Sequence, residues 1–151
     1  MKLHDRVAII TGATSGIGKA TALLFAKEGA SIVITGRRSE LGLQVAKEIE
    51  QLGGGRCLFI QADHCKPENC EDVVRQTISE FGRVDILFNN AGIVTKGSAE
   101  TITDETWFST MDINVTAVLR MCRLIIPHMR KQGKGVIINN GSDWYVCPIC
   151  C

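Results

Sequence analysis

Five short, unbroken runs of Ile, Val and Leu recur along the chain, at residues 7–10, 32–34, 57–60, 84–88 and 136–138. Each of the first four is followed by a stretch whose spacing fits a helix, at 16–28, 39–52, 67–81 and 104–131. An unbroken apolar run is the pattern of a strand covered on both faces, because a strand with one wet face would alternate apolar and polar residues. Within 67–81, Val73, Val74, Thr77, Ile78 and Phe81 fall on one helical face. Within 104–131, Trp107, Met111, Val115, Val118, Cys122, Ile125 and Met129 step by four or three, which predicts the buried stripe of one long helix. Gly29, the run 53–55 and Gly82 stand where helices should end, and Pro127 is expected to end or kink the last one.

Strands alternating with helices require crossover connections, and these give a parallel sheet with helices on both faces. The predicted class is therefore α/β, a doubly wound, Rossmann-like sheet of five strands in the order 3-2-1-4-5. Only eleven residues follow Asn140, too few for another helix and strand, so the later strands usual in such a sheet are lacking. A length of 151 residues suits one domain. The reading places a dinucleotide-binding domain at 1–143 and an unrelated cysteine-rich tail at 144–151.

A net charge of +1 gives no electrostatic case for nucleic acid or an acidic membrane surface as partner. The first six residues carry charges and no signal-like apolar stretch, and nowhere do ~18 apolar residues run together. The seven cysteines are accordingly read as reduced thiols, and the compartment as cytoplasmic. His4, His64, Cys65 and Cys70 are scattered in sequence and suggest no metal.

Between the first strand and first helix lies Thr11-Gly12-Ala13-Thr14-Ser15-Gly16-Ile17-Gly18. Glycines let the backbone turn tightly and approach a pyrophosphate, and a helix start offers free N–H groups and a positive dipole end. A tight strand-to-helix turn with no ligand is the alternative. The second strand ends in Gly36-Arg37-Arg38. In doubly wound folds an acid at this point binds the ribose 2′-hydroxyl, whereas arginine accommodates a 2′-phosphate. Arg37 thus favours NADP(H) over NAD(H), the alternative being two solvated arginines that open a surface helix.

Together with Asp63 after the third strand, Asn89-Asn90-Ala91-Gly92 after the fourth, Asn114 in the long helix and Ser142 after the fifth, this glycine loop resembles the short-chain dehydrogenase/reductases. The resemblance runs from Lys2 to about Asp143, in the family's order and spacing. It implies cofactor contacts from Gly12, Thr14, Ser15, Gly16, Ile17, Gly18, Arg37, Asp63, Asn89, Ala91 and Gly92, with the Asp63 carboxylate on the adenine. It implies catalytic roles for Asn114, whose backbone carbonyl would hold a water in a proton relay, and for Ser142, which would bond the substrate oxygen. A satisfied core asparagine and a turn serine are the plainer readings of these two residues.

The family's acid–base pair, a Tyr with a Lys four positions later, has no counterpart. Tyr145 is the single tyrosine, Ile149 stands four places on, and no lysine follows Lys134. Residues 143–151 instead carry three cysteines, which suggests a truncated or alternative reading of a longer enzyme. Cys147-x-x-Cys150 has the spacing of a zinc or redox pair but no second ligand pair, so it is read as incidental. With no later strands, the fifth strand becomes a bare edge and the long helix loses its packing partner, which favours aggregation.

The resemblance implies an NADP(H)-dependent oxidoreductase that interconverts a small-molecule carbonyl and an alcohol, with little or no turnover on this chain. A non-catalytic dinucleotide-binding fragment acting through partners is the alternative, and a chain with no stable independent function is the third reading. Family members commonly associate through the long helix, so a homo-oligomer formed by 104–131 is an expectation of the same kind.

Overall fold

A computed structural model describes residues 1–53 and 55–141. Ser142, Tyr145 and the Cys147–Cys151 tail lie outside the described residues.

The elements follow the alternation read from the sequence: β1 (Val7–Ile10), α1 (Gly16–Lys27), β2 (Ser31–Gly36), α2 (Ser39–Gln51), β3 (Cys57–Gln61), α3 (Pro67–Phe81) and β4 (Ile86–Asn89). The long helix is α4 (Asp104–Met111), a π turn (Asp112–Thr116) and α5 (Ala117–Gln132), and β5 (Val136–Asn139) follows. All pairings are parallel, in the order β3-β2-β1-β4-β5. At the centre Ile9 stands between Val33 and Leu87, and Leu87 pairs in turn with Ile137.

Side chains alternate across the sheet, so each central strand feeds two cores. Ala8, Ile10, Ile32 and Ile34 pack with Ala22, Ala26, Val45 and Ile49 of α1 and α2. Ile9, Val33 and Leu87 pack with Val73, Met121 and Ile125 of α3 and α5. Each fully buried Ile or Leu contributes about 1.5–3 kcal/mol relative to exposure, which is why these runs contain no polar alternation.

Three expectations are corrected. Pro127 does not end the last helix: α5 runs on to Gln132 and stops at Gly133, which has a left-handed backbone. Pro127 and Arg123, whose carbonyl loses its helical partner, both face solvent, where water can replace the bond. The buried stripe of that helix keeps Ile125 and Met129 as expected but continues through Met121 and Ala117, while Val118 and Cys122 are half-buried and Trp107 and Val115 half exposed. A π turn has more residues per turn than an α-helix, so a phase that fits Ile125 and Met129 leaves Val115 and Trp107 off the buried side. Finally, the fifth apolar run is not covered on both faces. In β5, Val136 and Ile138 are 54% and 39% exposed at the edge of the sheet.

Candidate functional site

The carboxyl ends of β1 to β4 lie along one edge of the sheet, and the turns that leave them enclose a cleft of about 620 Å³. The strand order reverses between β2 and β4 on either side of β1, the place where doubly wound sheets open a crevice. Gly12, Thr14 and Ser15 form one wall, with Arg37 and Arg38 beside them. Asp63, His64 and Cys65 close a second side, and Asn90 to Ile93 the floor, with Ser109 and Ile113 of the long helix beyond.

The glycine loop is held by its neighbours' backbones. Thr11 N–H donates to the Phe88 carbonyl (3.0 Å) and Ala13 N–H to that of Thr35 (2.9 Å). The Thr11 hydroxyl accepts from the N–H groups of Asn90 and Ala91, both at 3.0 Å. Asn90 Nδ2 donates in return to the carbonyls of Thr11 (3.0 Å) and Gly12 (3.1 Å). Gly12 has φ +64°, and a Cβ there would lie 2.8 Å from Ala91 Cα, so the two turns touch at a distance only glycine permits. Gly16, Ile17 and Gly18 open α1 without lining the cleft: Ile17 is largely exposed, and Gly18 packs against Asn90 and Gly12.

Ser15 precedes α1 but makes no side-chain cap, and the helix has no acidic residue in its first turn. The Ser15 hydroxyl instead accepts from Arg38 Nη2 at 2.7 Å, and Thr14 Oγ1 accepts from the same nitrogen at 2.8 Å. Arg38 therefore reaches across from β2 to the glycine loop, while Arg37 lines the cleft beside it and its carbonyl accepts from Gln61 Nε2 (3.0 Å). Asp63 is the one carboxylate among the described lining residues. Uncapped helix amides, two guanidiniums and a loop without side-chain bulk make a cradle that fits a diphosphate-bearing ligand.

The turn after β3 is tightly organised. Asp63 N–H donates to Asn69 Oδ1 (2.9 Å), and Asp63 Oδ1 accepts from Cys65 N–H (3.1 Å). His64 is buried, with Nε2 2.6 Å from the Thr35 hydroxyl and Nδ1 3.5 Å from Cys70 Sγ. The structure thus brings Cys70 of α3 against His64 in the turn, with Cys65 next in the chain, where the sequence reads them as scattered. Burial lowers the His64 pKa to about 4 against a smaller opposing pull from Asp63, so the ring is neutral at pH 7. Burial also pushes the thiols of Cys65 and Cys70 up to about 11. Among the described residues no three His, Cys, Asp or Glu side chains come together as a metal site. The described cysteines, Cys57, Cys65, Cys70 and Cys122, are free.

Asn114 sits in the π turn and is bound to Ile93 twice. Its Nδ2 donates to the Ile93 carbonyl and its Oδ1 accepts from Ile93 N–H, both at 2.9 Å. The amide ties the β4 turn to the long helix through both its donor and its acceptor side. Asn89 lies beneath the cleft: it is buried, and its Nδ2 donates to Asn139 Oδ1 (2.9 Å) and Cys122 Sγ (3.5 Å), joining β4 to β5 and α5.

The structure thus brings Gly12, Thr14, Ser15, Arg37, Asp63, Ala91 and Gly92 to one cleft, with Asn114 directly behind Gly92 and Ile93. The sequence reading missed the contributions of Arg38, Asn90, His64, Ser109 and Ile113. Arg38 and Asn90 each had an equivalent neighbour, and the periodicity does not say which of two adjacent side chains turns inward. Ile113 and Ser109 enter the cleft because of the π turn and the placement of α4, for which the residues carried no readable signal.

Residues 6–147 match the family model described as short chain dehydrogenase. An uncharacterized oxidoreductase of Thermotoga maritima is 40% identical over 143 residues, 95% of this chain and 56% of that protein. The 11-beta-hydroxysteroid dehydrogenase A of Sesamum indicum is 39% identical over 145 residues, 95% of this chain and 42% of its own length. An alcohol dehydrogenase from the archaeon Thermococcus sibiricus, solved in complex with 5-hydroxy-NADP, superposes with a TM-score of 0.89 at 27% identity, covering 95% of this chain and 61% of that one. The chain spans about half the length of these curated relatives. With the glycine loop, the strand order and the turns after β3 and β4 all in agreement, the chain belongs to the short chain dehydrogenase family.

Proposed function

We propose that the chain binds NADP(H) and serves an oxidoreductase reaction that interconverts a small-molecule carbonyl and an alcohol. The observation that carries this reading is the cationic end of β2: Arg37 and Arg38 face the cleft with no carboxylate beside them, and Arg38 is already turned toward the glycine loop. A 2′-phosphate on the adenosine ribose would gain charge-assisted bonds there, and nothing at that strand end repels it. Glu40, in the first turn of α2, does not line the cleft. The Thermococcus sibiricus alcohol dehydrogenase, solved with 5-hydroxy-NADP bound, points the same way.

In this reading the amides at the start of α1 and around Gly12 receive the diphosphate, and the free oxygen of Asp63 receives the adenine amino group. Asn114 acts through the backbone of its π turn, where a carbonyl holds a water on the proton path, and Ser142 bonds the reacting oxygen. The bound nicotinamide supplies or accepts the hydride. These 151 residues contain no Tyr-x-x-x-Lys pair, and positioned acid–base catalysis is worth about 10²–10⁴-fold, so binding with only trace turnover is the expected behaviour.

Titration of the 151-residue chain with NADPH and NADH tests the reading. We expect NADPH to bind at least about tenfold more tightly, and Arg38→Ala to remove most of that difference, as the loss of a charge-assisted bond worth about 1.5–3 kcal/mol implies. Equal affinities would overturn the NADP(H) assignment. No binding of either nucleotide would overturn the dinucleotide reading itself.

A further inference from the structure

Arg120 lies on α5, outside every motif read from the sequence, yet its guanidinium bonds two other segments beside the cleft. Nη1 donates to the carbonyl of His64 at 3.3 Å and to that of Cys65 at 3.2 Å. Nη2 pairs with Asp112 Oδ1 at 3.0 Å. The two carbonyls belong to the turn that presents Asp63, and Asp112 begins the π turn that contains Asn114. Eight residues along an uninterrupted α-helix would place two side chains ~80° apart. The wider π turn between Asp112 and Arg120 takes up part of that offset.

We propose that Arg120 is a positioning residue for the adenine end of the nucleotide, fixing the Asp63–Cys65 turn against the π turn so that the adenine wall and the Asn114 segment are held as one unit. The inference rests on the dinucleotide reading above. Its physical basis is the number of donors: a planar guanidinium serves two carbonyls and a carboxylate at once, whereas an ammonium is a single point charge. The turn's internal bonds alone do not fix its distance from the long helix. The Asn69–Asp63 and Asp63–Cys65 contacts lie within residues 63–69, and Arg120 supplies two bonds from outside that segment.

The test is titration of wild type, Arg120→Met and Arg120→Lys with NADPH, NADH and 2′,5′-ADP, alongside urea unfolding. We expect Arg120→Met to weaken all three ligands about tenfold while the NADPH-to-NADH affinity ratio stays at its wild-type value, because Arg37 and Arg38 are untouched. Arg120→Lys should fall between the two. Gln132→Ala serves as the stability control: Gln132 bonds the backbone N–H and C=O of Val84, just before the amino end of β4, and its loss should lower stability without changing affinity. Wild-type affinities in Arg120→Met, or a changed NADPH-to-NADH ratio, would overturn the proposal while leaving the dinucleotide reading in place. Absence of nucleotide binding by the wild-type chain would overturn both. Should Arg120→Met fail to fold, Arg120→Lys and Asp112→Asn decide the matter, and undiminished affinity in both would overturn the proposal.

Discussion

His64 Nε2 lies 2.6 Å from the Thr35 hydroxyl, a buried contact that ties the turn after β3 to the end of β2 directly beneath the cleft. Both ring nitrogens face partners, with Cys70 Sγ on Nδ1, and the ring is held neutral because burial depresses its pKa to about 4. An unfolded histidine titrates near 6.5. Between these values the unfolded chain binds the proton and the folded one does not, so stability falls as pH drops from about 6.5 toward 4. We expect the unfolding free energy from urea titration to fall by about 2 kcal/mol between pH 7 and pH 5, at ~1.4 kcal/mol per pH unit below 6.5. His64→Leu should flatten that slope, and an unchanged slope in the variant would remove His64 as its source.

Asp85 responds to pH in a lower window. It is buried just before β4, where its carboxylate receives Val7 N–H (3.0 Å) and Nη2 and Nε of Arg83 (2.6 and 2.8 Å), with Arg6 at 3.4 Å. Burial raises its pKa, but the Arg83 and Val7 hydrogen bonds and the charges of Arg83 and Arg6 outweigh it, and the net shift is downward. The stabilisation is therefore present above about pH 4 and is lost as pH falls through the depressed value. Asp85→Ala, which leaves Val7 N–H and two arginines without their acceptor, should cost about 2–4 kcal/mol at pH 7 in chemical denaturation. A loss below about 1 kcal/mol would mean that the group behaves as an exposed ion pair.

Gly12 and Gly16 both have positive φ, at +64° and +57°, but a Cβ at Gly16 meets nothing within 4 Å, whereas one at Gly12 meets the Ala91 backbone. Gly16→Ala should cost the left-handed strain alone, about 1–2 kcal/mol. Gly12→Ala adds a clash that only backbone movement relieves, a further ~1–3 kcal/mol, and it displaces the loop from Ala91. Thermal unfolding of both variants separates the two terms, and equal losses would show that the contact with Ala91 is slack.

Asn114→Ala should destabilise the chain by about 1–3 kcal/mol, because it leaves the N–H and C=O of Ile93 without partners. Hydrogen exchange at the Ile93 amide should rise in the same variant. If stability and exchange both stay at wild-type values, the asparagine side chain has no part in holding the β4 turn.

Much of the architecture was legible in the residues. The five unbroken apolar runs marked the strands, though β5 is not covered on both faces, and the helices between them called for parallel crossovers, so the doubly wound order β3-β2-β1-β4-β5 was the expected one. The α3 boundaries, Pro67 and Phe81, were readable because proline suits a first helical turn and Gly82 ends the helix in a left-handed conformation. The long helix was readable as a helix but not in phase. A π turn leaves no mark in a period-3.6 pattern, so the spacing finds Ile125 and Met129 but puts Trp107 and Val115 in a core that Ala117 and Met121 occupy.

The site divides along the same line. Sequence alone determined the features set by backbone or local geometry: the glycine turn between β1 and α1, the basic end of β2, and the turns at Asp63 and after Asn89. Tertiary structure decided which side chains those turns aim inward and what holds them: Arg38 rather than Arg37 on the Thr14 and Ser15 hydroxyls, Asn89 beneath the cleft and Asn90 in it, and His64 locked to Thr35 across 29 residues. Local sequence fixes where the backbone can turn, because φ/ψ preferences are properties of single residues. The partner of a buried polar group is chosen by distance in space, and that distance exists only once the sheet and its helices have packed.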